Sequence, residues 1–567
     1  MLTRLYRDDL GNTALPSIAI LIGLGVFTLG PVAAVLIKSF DMAGPGETFR
    51  FGLDAWNGLF SDRKNLSSFF YSFLLTIRVP LGLLLALVIA WLLVRVRIPF
   101  ARFFEYTFWF AFFLPSLPMV TGWLLLLDAN YGLANEGLEY LGLTRLFDIH
   151  TAGGIIWVHL ATHTVPGMVI LITPSIRMID RALDDAAIVA GASALTIFRR
   201  IIAPLAIPAL FVAGYAGFIK ALESFETEQI IGAPAGIAVY SNRIYNFVNE
   251  SPPQMSQAMA LSSVFLVILI TLGVIYQLYL RNRGDSPTSF SGQRHGGSSA
   301  YSKRVRIGGT VLIAGFITIT IFLPFTMLIA GSFMQLFGFL GLEDPWTTRH
   351  WVRVTTSDEF VQSLLATLKL GLGAAVPGTL IFAAIAWALM QMRPLASDIG
   401  ALLAWLPWAF PGIIIGAGLL ELMLFTPGFS MLYGTIYPLI YAILIKELPI
   451  AVHMLRVSMD QTNRDLSEAA QLTRASWLTR FWRINLPLNA PAVTVVFLLI
   501  FSAAATDISS VVLIAPADTQ TLSLMMFKYA FVSEFEAATV MGTIISLIAL
   551  AVSILAFRMA GRVGFFE

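Results

Sequence analysis

The sequence predicts an all-α integral membrane protein with about twelve transmembrane helices, arranged as two parallel six-helix repeats. Three observations lead there. Hydrophobic residues make up 57% of the 567 positions and charged residues only 12%, with a mean hydropathy of +0.79; a soluble globular chain carries about 25% charged residues. Twelve stretches approach the roughly 20 apolar residues needed to cross a bilayer. The chain also matches itself when slid by 283 residues.

Composition excludes several classes. There is no Cys, so thiol catalysis, thiolate zinc sites and structural disulfides are absent. A net charge of +2 offers nothing to nucleic acid. No Ser/His/Asp set or paired-carboxylate site stands out, so an enzyme is not expected.

The spans fall near 15–38, 70–94, 105–127, 152–175, 204–231, 257–280, 307–331, 363–390, 399–424, 434–456, 490–514 and 538–557. The first follows Arg4 and Arg7, but its apolar run is longer than a secretory signal core, so a retained helix is expected. Residues 1–280 form a first half, 281–306 a basic Ser/Gly-rich linker and 307–567 a second half. Placing both termini inside puts 23 of the 36 Lys and Arg on cytoplasmic segments, as the positive-inside rule requires. The linker's basic residues could also meet anionic membrane lipid.

The self-match is sharpest in a polar loop. Residues 181–209 and 464–492 share fifteen identities in twenty-nine positions. Each copy reads as a short amphipathic helix, with Leu183, Ala186, Ala187 and Ala190 on one side and Asp180, Arg181 and Asp184 on another, ending in a Pro turn that opens the next span. A polar loop duplicated this well is expected to touch a partner, and its small Ala residues permit close docking. Weaker matches pair Leu114-Pro115 with Leu406-Pro407 and Ala90-Trp91 with Ala386-Trp387.

The pattern of acid-Ala-Ala, Gly, Phe, Ile and Pro at fixed offsets resembles the coupling motif of membrane subunits of binding-protein-dependent ABC importers, specifically the fused ferric-iron and thiamine type. The stretches Ala221-Leu-Glu-Ser-Phe-Glu226 and Gly232-Ala-Pro-Ala-Gly236 are similar to that group as well. The resemblance implies a type I importer fold. It makes the loops near 178–203 and 461–486 the ATPase-coupling sites, through Asp185, Ala186, Ala187, Gly191, Phe198, Ile201 and Pro204, and through Glu468, Ala469, Ala470, Arg474, Phe481, Ile484 and Pro487. Arg474 stands where the family has Gly, and Arg does not readily take positive φ. The implied partners are an ABC ATPase homodimer, a periplasmic substrate-binding protein and membrane lipid, in a bacterial inner membrane. No cofactor is expected on this chain, and ATP and Mg belong to the partner ATPase. Consistently, no Gly-Lys dipeptide occurs, so there is no phosphate-binding loop.

Ionisable residues inside spans mark a candidate translocation path: Arg78, His163, Glu223, Glu226, Lys369, Lys446 and Asp507. Aligning Thr76 with Thr367 overlays Arg78 on Lys369, and the 283-residue shift overlays His163 on Lys446. Local pairing, such as Lys220 with Glu223, is the competing reading. His159 and His163 lie one turn apart, but lack a carboxylate ligand, so no metal site is expected. Gly412 and Gly416 read as close helix packing. Outside segments offer Arg50, Arg63, Lys64, Arg243, Arg349 and Arg353 to a binding protein. Ferric iron leads as substrate, ahead of thiamine, polyamine, phosphonate and sugar phosphate. An ion-driven secondary transporter is the rival mechanism.

Overall fold

The computed structural model describes residues 14–43, 49–282, 301–426, 428–461, 470, 472, 475–516 and 519–560. Among these the chain is helical, with two isolated β-bridges, Asp41 to Phe51 and Met334 to Trp346. Nine helices are long and apolar enough to cross a membrane, or twelve if three bent pairs each count as one span. In chain order, spans 1 to 6 are Ser17–Lys38, Arg63–Val96, Ala101–Phe113 with Ser116–Leu127, Ala152–Met178, Ala194–Glu223 and Met255–Ile275. Spans 7 to 12 are Lys303–Ser332, Asp358–Gln391, Pro394–Ala409 with Gly412–Phe425, Tyr437–Asp460, Trp477–Leu488 with Ala490–Thr506, and Phe535–Leu555.

All twelve expected spans are present, but three are broken. Spans 3, 9 and 11 bend by 103°, 101° and 83°. In span 3 the break is Leu114-Pro115, both extended. In span 9 it is Phe410-Pro411, again extended. Proline removes the amide and pushes its predecessor out of the helical region, so these two breaks sit at X-Pro steps, while span 11 breaks at Asn489. Leu114-Pro115 therefore corresponds to Phe410-Pro411, not to Leu406-Pro407 as expected from sequence. The correct register for spans 2 and 3 is a shift near 296, the same one that relates Trp91 to Trp387.

In the first half, spans 2, 4 and 5 pack on one another; in the second, spans 8, 10 and 11 do so. The first helix of each half crosses to the other half. Span 1 lies along the two arms of span 9, and span 7 lies along the second arm of span 3. The contact is made by glycines. A Cβ on Gly122 would strike the main-chain carbonyl of Pro324, and one on Gly418 would strike that of Pro31. Pro31 also frees the Phe27 carbonyl, four residues back, from its helical bond. The hydroxyl of Tyr441 in span 10 donates to that carbonyl at 2.9 Å.

Candidate coupling loops and central polar network

The first loop carries the helix Ala182–Val189. It closes on Gly191, whose φ of +79° lies in the left-handed region, with Gly191 N–H donating to the Ile188 carbonyl and Ala192 N–H to the Ala187 carbonyl, both at 2.9 Å. This is a glycine C-cap. The matched bond recurs in the second loop, from Ala475 N–H to the Ala470 carbonyl at 3.1 Å. Glu468, Ala469 and Arg474 lie outside the described residues. Ser193 and Ser476 then cap the next helices by accepting from Thr196 N–H and Thr479 N–H, each at 3.2 Å. Both continue through a wide π-turn, Phe198–Ile202 and Phe481–Asn485, directly before the segments holding Pro204 and Pro487, which lack the amide an α-turn would use.

These turns give Phe198 and Phe481 the same task. Phe198 packs on Trp91 of span 2 with ring centroids 5.0 Å apart, and Phe481 packs on Trp387 of span 8 at 5.7 Å. Ile201 and Ile484 are partly buried beside them. Asp185 and Ala186 are exposed. At the tip, Val189 is 90% exposed, and Leu472, its partner at the 283 shift, is 83% exposed. Sequence reasoning missed this pair of apolar tips, because their identities differ. Periodicity set Asp184 on one side with Asp180; Asp184 is buried and bonded to Arg95, whereas Asp180 is exposed.

The central network lies where spans 2, 4, 5, 10 and 11 meet. Arg78 is buried, and donates to the Ala221 carbonyl at 2.9 Å, to Ser224 Oγ at 3.0 Å and to Glu228 at 3.4 Å. His159 Nε2 stands 2.8 Å from the same Glu228 oxygen. Glu228, absent from the expected set, is the centre of this cluster. His163 Nε2 lies 2.9 Å from the Leu114 carbonyl. A carbonyl only accepts, so that nitrogen carries the proton; the amide four residues on belongs to Pro118 and cannot serve. Lys446 Nζ contacts Glu223 and Asp507, each at 3.1 Å, and Lys220 pairs with Glu223 at 2.6 Å. Lys446 thus joins the two halves. Glu226 has no salt-bridge partner among the described residues. Gly412 and Gly416 admit the Ser509–Ser510 main chain beside Asp507, so they pack against a turn rather than a helix.

Two expectations are corrected. Lys369 is exposed and outside this network, whereas Arg78 is buried. Ser72 Oγ accepts from Tyr240 N–H, and Thr367 Oγ1 accepts from Leu522 N–H; Ser72 and Thr367 are the equivalent pair, which puts Arg78 opposite Gly373 or Ala374. Arg243 is not a free docking charge either. It is buried and bonded to Asn65 and Asp62. Arg353 pairs with Glu534 on the surface. Among the described residues no group of three or more His, Asp or Glu could hold a metal ion.

Residues 379–564 match the family described as binding-protein-dependent transport system inner membrane component. That match covers 186 of the 567 residues, all in the second half of the chain. The chain is similar to the ferric transport system permease protein FbpB of Actinobacillus pleuropneumoniae, at 23% identity over 67% of this chain and 54% of that protein. It is similar too to the Fe(3+)-transport system permease protein FbpB 2 of Haemophilus influenzae, at 23% identity over 71% of this chain and 75% of that one. The chain spans 54% of the length of the first relatives it matches. A bacterial alginate ABC transporter, solved in complex with an alginate pentasaccharide-bound periplasmic protein, aligns with 46% of this chain and 96% of its own at 19% identity and a TM-score of 0.38.

Proposed function

We propose that this chain is the permease of an ATP-driven importer, receiving substrate from a periplasmic binding protein, with ferric iron as that substrate. The observation that carries the importer reading is the duplicated loop: two capped turns, each anchored by a Phe on a Trp and each presenting an exposed apolar residue, Val189 and Leu472. Such paired surfaces suit two copies of one ATPase. Apolar side chains at 90% and 83% exposure on a polar loop gain free energy only when a partner covers them. Asp185, Ala186, Ala187 and Ala470 sit around these tips, so the small residues allow that partner to approach. The excess of Lys and Arg on the loops 95–104, 176–203 and 456–489 supports an N-in orientation.

In this reading ATP and Mg act on the partner. Closure of the ATPase dimer moves the two loops together, and spans 2 and 8 receive that motion through Trp91 and Trp387. The central ion pairs then rearrange to open a path between the halves. Iron is supported by the ferric transport relatives; thiamine, polyamine, phosphonate and sugar phosphate are the other substrates the class offers. Uptake of labelled ferric iron into proteoliposomes holding the permease, its ATPase and its binding protein tests this. ATP-dependent accumulation that excess thiamine, putrescine and phosphonate fail to compete supports it. Uptake that follows an ion gradient and ignores ATP would replace it with a secondary transporter. ATPase activity stimulated by the binding protein without iron uptake would discard iron and keep the importer.

A further inference from the structure

Asp184 lies on the inner side of the first coupling helix and is held from two directions. Span 2 ends in the π-turn Leu92–Val96, which is followed by Arg97 with a φ of +52°. That wide turn aims the Arg95 guanidinium back at the loop. Its Nε donates to Asp184 at 2.9 Å, and its two other nitrogens donate to the Ile179 carbonyl at 2.6 Å and the Asp180 carbonyl at 3.0 Å. Arg95 and Asp184 are buried, their side chains 1% and 6% exposed. The second hold comes from the residues that lead into span 7. Tyr301, just ahead of span 7, donates its hydroxyl to the same Asp184 oxygen at 3.1 Å and sets its ring edge-on to Trp91 at 6.0 Å.

Neighbouring contacts seat this segment firmly. Arg306 donates to the Arg97 carbonyl at 3.2 Å. A Cβ on Gly309 would come within 2.8 Å of Leu92. The sequence of the second half differs at both matching positions. Gln391 stands four residues beyond Trp387, where Arg95 stands four beyond Trp91, and Ser467 occupies the position matching Asp184. No ion pair can form between those two side chains.

We infer that Asp184 is a joint tying the first coupling helix directly to the start of the second half, so that motion of this one loop is delivered to both halves at once. Arg95 fixes the helix to span 2, and Tyr301 fixes it to span 7. The Arg fork matters here because it binds the loop carbonyls and the carboxylate together, making one rigid unit of them. In the second half the matching side chains, Gln391 and Ser467, offer no such ion pair. Arg95 and Tyr301 are positioning residues, acting through the loop rather than on any substrate. The inference rests on the importer reading.

Its test uses the full chain in nanodiscs with its ATPase and binding protein. Tyr301→Phe removes one hydroxyl and keeps the ring on Trp91. The expected result is unchanged ATPase retention and basal hydrolysis, with stimulation by the binding protein reduced several-fold. Arg95→Gln, copying the second half, is expected to reduce it further. A purely structural role would lower thermal stability and leave the ratio of stimulated to basal hydrolysis intact. Full stimulation in Tyr301→Phe would overturn the joint and leave the importer standing. If the wild-type chain retains no ATPase, the importer reading falls and the joint falls with it.

Discussion

Gly122 of span 3 lies against the main chain of Pro324 in span 7, so closely that a methyl group there would sit 2.8 Å from the Pro324 carbonyl carbon. Gly418 of span 9 meets Pro31 of span 1 in the same way, also at 2.8 Å. The contact is thus made twice, once in each direction between the halves. Replacing either glycine by Ala places a carbon against a backbone atom that cannot rotate aside. Overpacking of this kind costs about 1–3 kcal/mol. Gly122→Ala and Gly418→Ala should each lower the melting temperature of the detergent-solubilised protein, read by tryptophan fluorescence, and by similar amounts. Melting at the wild-type temperature in both would show that the helices can separate freely there.

Lys446 neutralises a carboxylate from each half, Glu223 and Asp507. Lys446→Met removes the charge, leaving Asp507 without its ion pair and Glu223 with Lys220 alone. Breaking a buried ion pair by deleting one partner costs about 3–5 kcal/mol. Glu223→Gln should be milder, because Asp507 still faces Lys446. A stability ranking of wild type, Glu223→Gln and Lys446→Met by thermal melt checks this, and the reverse order of the two variants would contradict it.

Val189 and Leu472 can be tested as a pair. Val189→Asp with Leu472→Asp should insert normally in the membrane but fail to retain the ATPase during purification. Charge or bulk at Ala187 and Ala470 together should abolish uptake while leaving insertion intact. Normal uptake by an Ala187→Glu, Ala470→Glu double variant would remove these loops from the coupling assignment.

A pH effect is expected at the end of span 3. The hydrogen bond to Asp128 raises the His150 imidazole above its usual range, partial burial opposes this, and the Ile231 carbonyl adds to it. Burial works against the Asp128 carboxylate, but His150 and the amides of Asn130 and Tyr131 hold it below the usual range. The raised His contributes stability that is full below its unfolded value and lost as pH rises through its folded value. The depressed Asp contributes stability that is full above its unfolded value and lost as pH falls through its folded value. The pair therefore stabilises between the usual carboxylate and imidazole ranges. Melting curves of wild type and His150→Gln should converge as pH rises past neutrality; a gap that stays constant with pH would exclude the ion pair.

The spans and the loops were legible in the sequence for different reasons. Apolar length reports a bilayer crossing directly, and a polar loop repeated at 283 residues has few ways to arise by composition. Register inside the greasy spans was not legible. Thr76 and Thr367 align by identity, but hydrogen bonding pairs Ser72 with Thr367. Leu-Pro recurs at 406, but the chain breaks at Pro411. Among similar apolar residues a slip of a few positions costs no matches. The burial of Asp184 was not legible, because helical periodicity fixes a residue's angle on the helix and not which angle is inward. Arg95, which decides it, lies 89 residues earlier.

The crossing of the first helices has a consequence in time. Span 1 is made well before span 9: Gly418, against which Pro31 settles, is translated about 390 residues later than Pro31. At roughly 5–20 residues per second that delay is on the order of 20–80 s. Span 7 has no such wait, since Gly122 is already in the membrane when Pro324 emerges. Span 1 can pack on span 6 once that helix is made, but its face meant for span 9 stays uncovered until late in synthesis. Chains stalled before span 9 would expose that face to membrane quality control, and chains that have completed span 9 would hide it.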